Sequence, residues 1–169
     1  MKQAPNFANG IFQNTVETKM EMPKGTMKKV LKHYFFDDKS KKNPAKTISV
    51  KLFNKYNFDA IPNDSIGFVW FGHSTLLMKI HGVTILADPI LAGKRASMFP
   101  FLGPKRFDYS KHVSVDELPD IDVMILSHDH YDHLDYPTIK ALKDKVSKFY
   151  LPLGVGAHFE HWGIAPEQI

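Results

Sequence analysis

The chain has 169 residues, 43% hydrophobic and 24% charged, with a formal net charge of +4, as expected for one soluble globular domain with a substantial core. Cysteine is absent, which excludes disulfide bonds and thiolate metal sites. No apolar run approaches the roughly 18 residues of a membrane span, and the N-terminus lacks the apolar stretch of a signal peptide, so we expect a cytoplasmic or peripheral membrane protein.

Charge divides the chain into a basic front and a mildly acidic remainder. Residues 1–60 hold 12 Lys+Arg against 5 Asp+Glu, and residues 61–169 hold 10 against 13. We therefore expect a basic N-terminal extension over 1–60 and a folded domain over 61–169. The extension is either a surface for anionic phospholipid or a solvated arm. Nucleic acid is not expected as a partner, because the lysines are not interleaved with an aromatic stacking platform.

The extension predicts one helix. Residues 1–25 are polar and without a clear period, which indicates an extended lead-in whose phenylalanines can tuck onto the domain. Thr26 can cap a helix over 26–36. Its apolar residues recur at helical spacing; they are Met27, Val30, Leu31 and Tyr34. The charged stretch 37–46 predicts a mobile loop.

From residue 66 the pattern changes to short apolar strands. The predicted strands are 66–71, 75–80, 83–87, 121–126 and 148–151. His81 and Gly82 predict a tight hairpin turn. Asp135 and Pro137 open a helix after the fourth strand, and a helix over 154–162 should end at Gly163. This order of elements predicts a mixed α/β layered fold.

Residues suited to metal binding follow the buried strand at 121–126. His128, His130, Asp132 and His133 form the pattern His-x-His-x-Asp-His. Because residues two apart in extended chain point the same way, His128 and His130 can reach one ion, while Asp132 and His133 reach a second. Imidazole and carboxylate suit zinc, and also iron or manganese. The position between a strand and a helix favours a two-metal centre over a solvated histidine-rich loop.

The motif resembles the signature of the metallo-β-lactamase superfamily. Four further segments occur in the order found in its N-acylphosphatidylethanolamine-hydrolysing phospholipase D branch; they are Trp70–Thr75, Thr84–Ile90, Gly103–Phe107 and Glu117–Pro119. The resemblance runs from about residue 66 to the last residue. It implies an αββα sandwich, of which this chain supplies the first half, and a hydrolase that uses two zinc ions.

The resemblance also implies metal ligands that this sequence does not match. Superfamily members add two histidines and a bridging aspartate from downstream segments, and nothing after His133 matches those segments. We therefore expect two protein ligands for each ion, weak metal binding and little turnover by this chain. Half a sandwich further predicts an uncovered apolar sheet face, which self-association can cover.

Four residues outside the motif are candidates for the site. His73 can hydrogen-bond a metal ligand or a substrate phosphate, or only backbone in its own turn. Asp88 can fix the tautomer of a metal-bound histidine or cap a turn, and the resemblance favours the first role. Lys105 and Arg106 can bind a substrate phosphate or remain solvated.

Three further groups have open roles. The apolar loop 98–102 can contact acyl chains or pack in the core. His158 and His161 share a helix face, but the resemblance implies that this helix does not feed the site. Asp129 and Tyr131 lie between the predicted ligands, where we expect contacts behind the ligands or with solvent.

The leading hypothesis is a zinc-dependent phosphodiesterase resembling the phospholipase D that releases N-acylethanolamine. A metal-bound hydroxide would attack phosphorus, with a phospholipid or another phosphodiester as substrate. Two alternatives stay open: a lactonase or other ester or amide hydrolase of the same fold, and a non-catalytic fragment.

Overall fold

The computed structural model describes residues 4–16, 22–36, 43–97, 101 and 103–169. Its first part contains a short hairpin, β1 (Phe7–Ala8) and β2 (Ile11–Phe12), and the helix α1 (Thr26–Phe36). The rings of Phe7 and Phe12 lie 4.8 Å apart, and the Phe12 ring fills the space beside Gly154. The predicted helix is confirmed at both ends, whereas the lead-in contains a hairpin that its sequence did not indicate.

Residues 47–59 are built into the domain. Ile48 donates its backbone N–H to Asp108 and accepts from Ser110, 2.8 and 2.9 Å away. Phe58 is 3% exposed and belongs to the main core. It lies in helix α2 (Lys55–Asp59). The sequence does not predict this helix, because a single turn is too short to establish a helical period of apolar residues.

A five-stranded mixed sheet forms the centre of the structure. Its strands are β3 (Ile66–Trp70), β4 (Leu76–Ile80), β5 (Val83–Ala87), β6 (Ile121–Ile125) and β7 (Val146–Tyr150), in that spatial order. The first three pair antiparallel, and β5, β6 and β7 pair parallel. All five predicted strands are confirmed to within two residues. His81 and Gly82 turn the β4–β5 hairpin with φ of 48° and 81°, as expected from their order.

Apolar alternation along the strands explains which sheet face is buried. The inner face carries side chains that are at most 2% exposed; they are Leu77, Leu86, Met124 and Phe149. Helices α3 (Tyr136–Leu142) and α4 (Gly156–His161) contribute to the same core, with the Phe149 and Phe159 rings 5.4 Å apart. On the opposite face Phe68 and Trp70 are 70% and 67% exposed, so the predicted apolar face is present.

Strand register brings one end of four strands to the same sheet edge. Trp70, Leu76, Ala87, Ile125 and Tyr150 form one row of paired residues across the sheet. Strands β3, β5, β6 and β7 run in the same direction and end at or just beyond this row. The loops that follow them therefore meet there, which is where α/β sheets place ligands. Within the described part of the chain, no helix has the length and apolar character needed to cross a bilayer.

Candidate metal centre

The four predicted ligands come together at this sheet edge. One nitrogen or oxygen atom from each of His128, His130 and Asp132 lies within 4.8 Å of the others. A second group with the same spread joins Asp132 to His133 and His73. The carboxylate of Asp132 therefore belongs to both groups, between two sets of imidazoles.

His73 reaches the cluster from the loop after β3, a strand at one edge of the sheet. It follows β3, and its Nε2 lies 3.1 Å from Asp132 Oδ2, although the two residues are 59 positions apart. Ring centroids of His73 and His133 are 5.4 Å apart. The structure therefore places His73 in contact with Asp132, one of the predicted metal ligands.

Asp88 holds His133 from behind. Its carboxylate lies 2.9 Å from His133 Nδ1 and accepts hydrogen bonds from the backbone N–H and the hydroxyl of Ser127, at 2.7 and 2.6 Å. Because Nδ1 faces this carboxylate, Nε2 is the nitrogen of His133 that remains for a ligand role. The predicted contact between Asp88 and a histidine of the motif is present.

Both carboxylates of the cluster favour their charged form. Burial by itself raises the pKa of Asp88, but hydrogen bonds from the Ser127 hydroxyl and amide and from His133 outweigh it, so the pKa lies below its usual value. Burial also acts against Asp132, and hydrogen bonds from its own backbone N–H and from His73, with the neighbouring histidine charges, lower its pKa. Two anionic carboxylates among imidazoles form a suitable environment for a cation.

Unusual backbone conformations mark the same two loops. His73 and Asp88 have φ of 45° and 41°, a region that non-glycine residues adopt rarely and that clusters at functional sites. The Thr75 hydroxyl donates to the Asp88 carbonyl at 3.0 Å and accepts from the Ile90 N–H at 2.9 Å. These bonds offset the strain by tying the β3–β4 loop to the chain after β5.

A buried polar pair fixes the loop that follows Asp88. The Thr138 hydroxyl accepts from the backbone N–H groups of Leu91 and Ala92, 2.9 and 2.8 Å away, and donates to the carboxylate of Asp135. Asp135 occupies the predicted N-cap of α3, but its side chain makes no capping bond and instead accepts from the Gly93 N–H at 2.8 Å. The sequence did not predict this role of Asp135 and Thr138. A threonine in the first turn of an apolar helix is the feature that could have indicated it.

Lys105 and Arg106 differ in their surroundings, since Arg106 lines a cavity of about 870 Å³ together with His73 and Lys105 does not. Arg106 donates to the Leu91 carbonyl at 2.7 Å, and its guanidinium is partly buried. Lys105 is exposed, and its backbone forms a β-bridge with Arg95. Neither side chain belongs to the two ligand groups. The predicted apolar loop lies outside the described residues except for Phe101, which is 71% exposed.

A cavity of about 1140 Å³ opens beside the cluster. His130 and Asp132 line it together with Asp129 and Tyr131. The lining also includes two cationic side chains and three rings; these are Lys94, Arg95, Tyr136, His158 and Trp162. Helix α4 borders this cavity through His158, while His158 and His161 belong to neither ligand group.

Comparison with known proteins agrees with this geometry. The model of the Beta-lactamase superfamily domain matches residues 83–169, slightly more than half of the chain. An uncharacterized protein of Mycobacterium tuberculosis is 35% identical over 169 residues, covering 99% of this chain and 44% of that protein. This chain therefore spans less than half the length of that relative.

Two shorter matches carry functional names. N-acyl-phosphatidylethanolamine-hydrolyzing phospholipase D 1 of Caenorhabditis elegans is 38% identical over 100 residues, covering 58% of this chain and 28% of that protein. A UPF0173 metal-dependent hydrolase of Saccharolobus solfataricus is 28% identical over 102 residues, covering 59% of this chain and 39% of that protein.

Proposed function

Because the chain belongs to the Beta-lactamase superfamily domain family, we propose that its sheet-edge cluster binds two divalent metal ions and serves hydrolysis of a phosphodiester, with the low turnover expected of ions that have few protein ligands. The observation that carries the proposal is the convergence of His128, His130, Asp132 and His133 in two overlapping groups, each within 4.8 Å. A solvated loop is not expected to gather three imidazoles around one carboxylate.

The side chains of the cluster are of types that bind metal ions, and hydrogen bonds orient two of the histidines. Three imidazoles and a carboxylate are ligands for zinc, iron or manganese, and zinc is the ion we propose first. Asp88 behind His133 provides the hydrogen bond that metal-bound histidines usually receive, fixing tautomer and ring orientation. The Ser127 hydroxyl lies 2.9 Å from His128 Nδ1 and serves the same purpose there.

The chain's own residues define what the site can do. Ions bound there would supply Lewis-acid polarisation of a substrate oxygen and a water molecule of lowered pKa. Asp132, shared by both groups, keeps the two binding positions close together. Lys94 and Arg95 give the adjoining cavity a cationic side for an anionic substrate, and the Trp162 ring supports its organic part.

The substrate class rests on the named relatives. The Caenorhabditis elegans relative and a Saccharomyces cerevisiae relative, 30% identical over 90 residues, are both named as phospholipases D that hydrolyse N-acyl-phosphatidylethanolamine. A cavity with cationic and aromatic walls is compatible with such a diester. A lactone or another ester is the alternative, supported by the less specific name of the metal-dependent hydrolase.

Metal binding and hydrolysis are tested on paired variants. Purified chain is stripped with a chelator, titrated with zinc in a competition assay, and assayed on bis(p-nitrophenyl) phosphate, N-acyl-phosphatidylethanolamine and a lactone. Asp132→Asn should weaken both binding steps, whereas Asp129→Asn, a neighbouring exposed carboxylate outside both groups, should bind like the parent. In a second pair, His130→Gln should weaken zinc binding, whereas His161→Gln, outside both ligand groups, should bind like the parent.

Each result has a defined consequence. Equal zinc binding by the parent, Asp132→Asn and His130→Gln chains would refute the metal centre. Zinc binding at the cluster without hydrolysis of any substrate would refute the catalytic assignment for this chain and leave the metal centre standing. Hydrolysis of the lactone alone would replace the phosphodiester by the alternative substrate class.

A further inference from the structure

Helix α1 presents its apolar side to solvent. Met27, Val30, Leu31 and Phe35 recur at spacings of three and four and form one stripe. Their side chains are 58%, 54%, 50% and 65% exposed. An amphipathic helix in a globular protein normally buries this stripe, and a contiguous exposed apolar patch marks an interaction surface.

The remaining surface of the helix is cationic. Lys28, Lys29 and Lys32 flank the stripe, Lys24 precedes it, and no acidic residue lies between Lys24 and Phe36. Asp37 and Asp38 follow the helix, but residues 24–46 as a whole hold eight lysines against these two aspartates. A ligand for this surface must therefore offer both an apolar layer and negative charge.

We propose that α1 is an interfacial helix that docks the protein on an anionic phospholipid bilayer. A bilayer offers both requirements at once, because its headgroups attract lysines and its acyl boundary accepts an apolar stripe. A second copy of the helix is disfavoured as the occupant, since it would bring two lysine-rich flanks together. An acidic peptide would satisfy the lysines, but nothing in the helix forms a groove to hold one.

Bilayer contact also accounts for a helix whose apolar side chains are half exposed or more. An 11-residue helix is marginally stable in water without packing of its apolar side. Thr26 stabilises the first turn through a hydrogen bond from its hydroxyl to the Pro23 carbonyl, at 2.8 Å. Burial in the interface would remove from water the side chains of Met27, Val30 and Leu31, each of which is at least half exposed.

The test is co-sedimentation of the full, metal-free chain with vesicles, so its result does not depend on the hydrolase proposal. We expect binding to phosphatidylcholine–phosphatidylserine vesicles and much less to phosphatidylcholine alone. Binding should fall as salt rises from about 0.1 to about 1 M, where the Debye length shrinks from about 10 to about 3 Å.

Matched variants separate the helix from general basicity. Each lysine near an anionic surface contributes about fivefold to partitioning, so K28Q/K29Q/K32Q should bind about a hundredfold more weakly. The triple variant K51Q/K105Q/K143Q removes the same charge from exposed lysines outside residues 24–46 and should bind within about threefold of the parent. V30Q/L31Q, which keeps every charge, should weaken binding by at least about tenfold.

Three outcomes would overturn the proposal. The first is absence of sedimentation with anionic vesicles, and the second is equal loss of binding in the two lysine triples. The third is concentration-dependent self-association, seen by light scattering, that V30Q/L31Q abolishes while this variant still binds vesicles. Circular dichroism of each variant shows whether the fold is retained. A change in vesicle binding is assigned to the substituted side chains when the spectrum of the variant matches that of the parent.

Discussion

Replacement of Asp88 by asparagine tests whether the residue behind the cluster orients it. The side chain is 7% exposed and its two oxygens meet three donors, namely the N–H and hydroxyl of Ser127 and Nδ1 of His133. Asparagine keeps the shape but has one acceptor oxygen. Its NH₂ group then faces the Ser127 hydroxyl, which can turn to accept, and the His133 nitrogen, which loses its acceptor.

The size of the effect follows from the bonds lost. A hydrogen bond to a charged group contributes about 1.5–3 kcal/mol, so we expect Asp88→Asn to lower the free energy of unfolding of the metal-free chain by about that amount. Loss of the residue that orients a metal-binding histidine reduces metal affinity about 10- to 100-fold. The affinity loss should therefore exceed what a surface carboxylate would cause.

Zinc competition titration and urea denaturation measure the two quantities. Asp122→Asn is the control, because within the described residues this carboxylate accepts a single hydrogen bond, from the Thr84 N–H at 2.7 Å, and an amide oxygen retains that bond. We expect the control to match the parent in both assays. Zinc affinity of Asp88→Asn within about twofold of the parent, in a chain with an unchanged near-ultraviolet spectrum, would refute the orienting role.

Three further predictions address neighbouring parts of the structure. Thr138→Val should lower the free energy of unfolding by about 2–4 kcal/mol in urea, because the buried N–H of Leu91 and the partly buried N–H of Ala92 lose their acceptor, whereas Thr138→Ser should retain most of that stability. His73→Gln should weaken one of two zinc-binding steps and spare the other, since His73 belongs to only one ligand group; equal weakening of both would contradict this. The hydrogen bond from Lys111, then that from the Ser114 amide, lowers the pKa of Glu117; the stability it contributes is present at neutral pH and lost as its carboxyl protonates, so Glu117→Gln and the parent should converge in urea midpoint between about pH 5 and about pH 3.

Short-range patterns in the sequence specified most of the sheet. Alternating apolar residues placed all five strands to within two residues, because side-chain direction in a strand repeats every two residues whatever the rest of the fold. Helix α2 and the β1–β2 hairpin were missed, since elements of five and two residues are too short to show a period.

Contacts between distant segments escaped the same reasoning. Arg106, a candidate for binding a substrate phosphate, donates to the Leu91 carbonyl and lines a cavity together with His73. His158, on a helix that was not expected to feed the site, lines the same cavity as His130. Neither position follows from residue spacing, because each depends on how a loop or helix packs against elements far away in the chain.

The sequence by itself determined the donor set, since the spacing of His128, His130, Asp132 and His133 is a local property of a chain that leaves a strand. Only the tertiary structure decided that His73 would reach Asp132 across 59 residues and that Asp88 would hold His133 across 45. The physical reason is strand register: pairing of β3 through β7 fixes which loops emerge at one sheet edge, and that pairing is a long-range result of burying one apolar face.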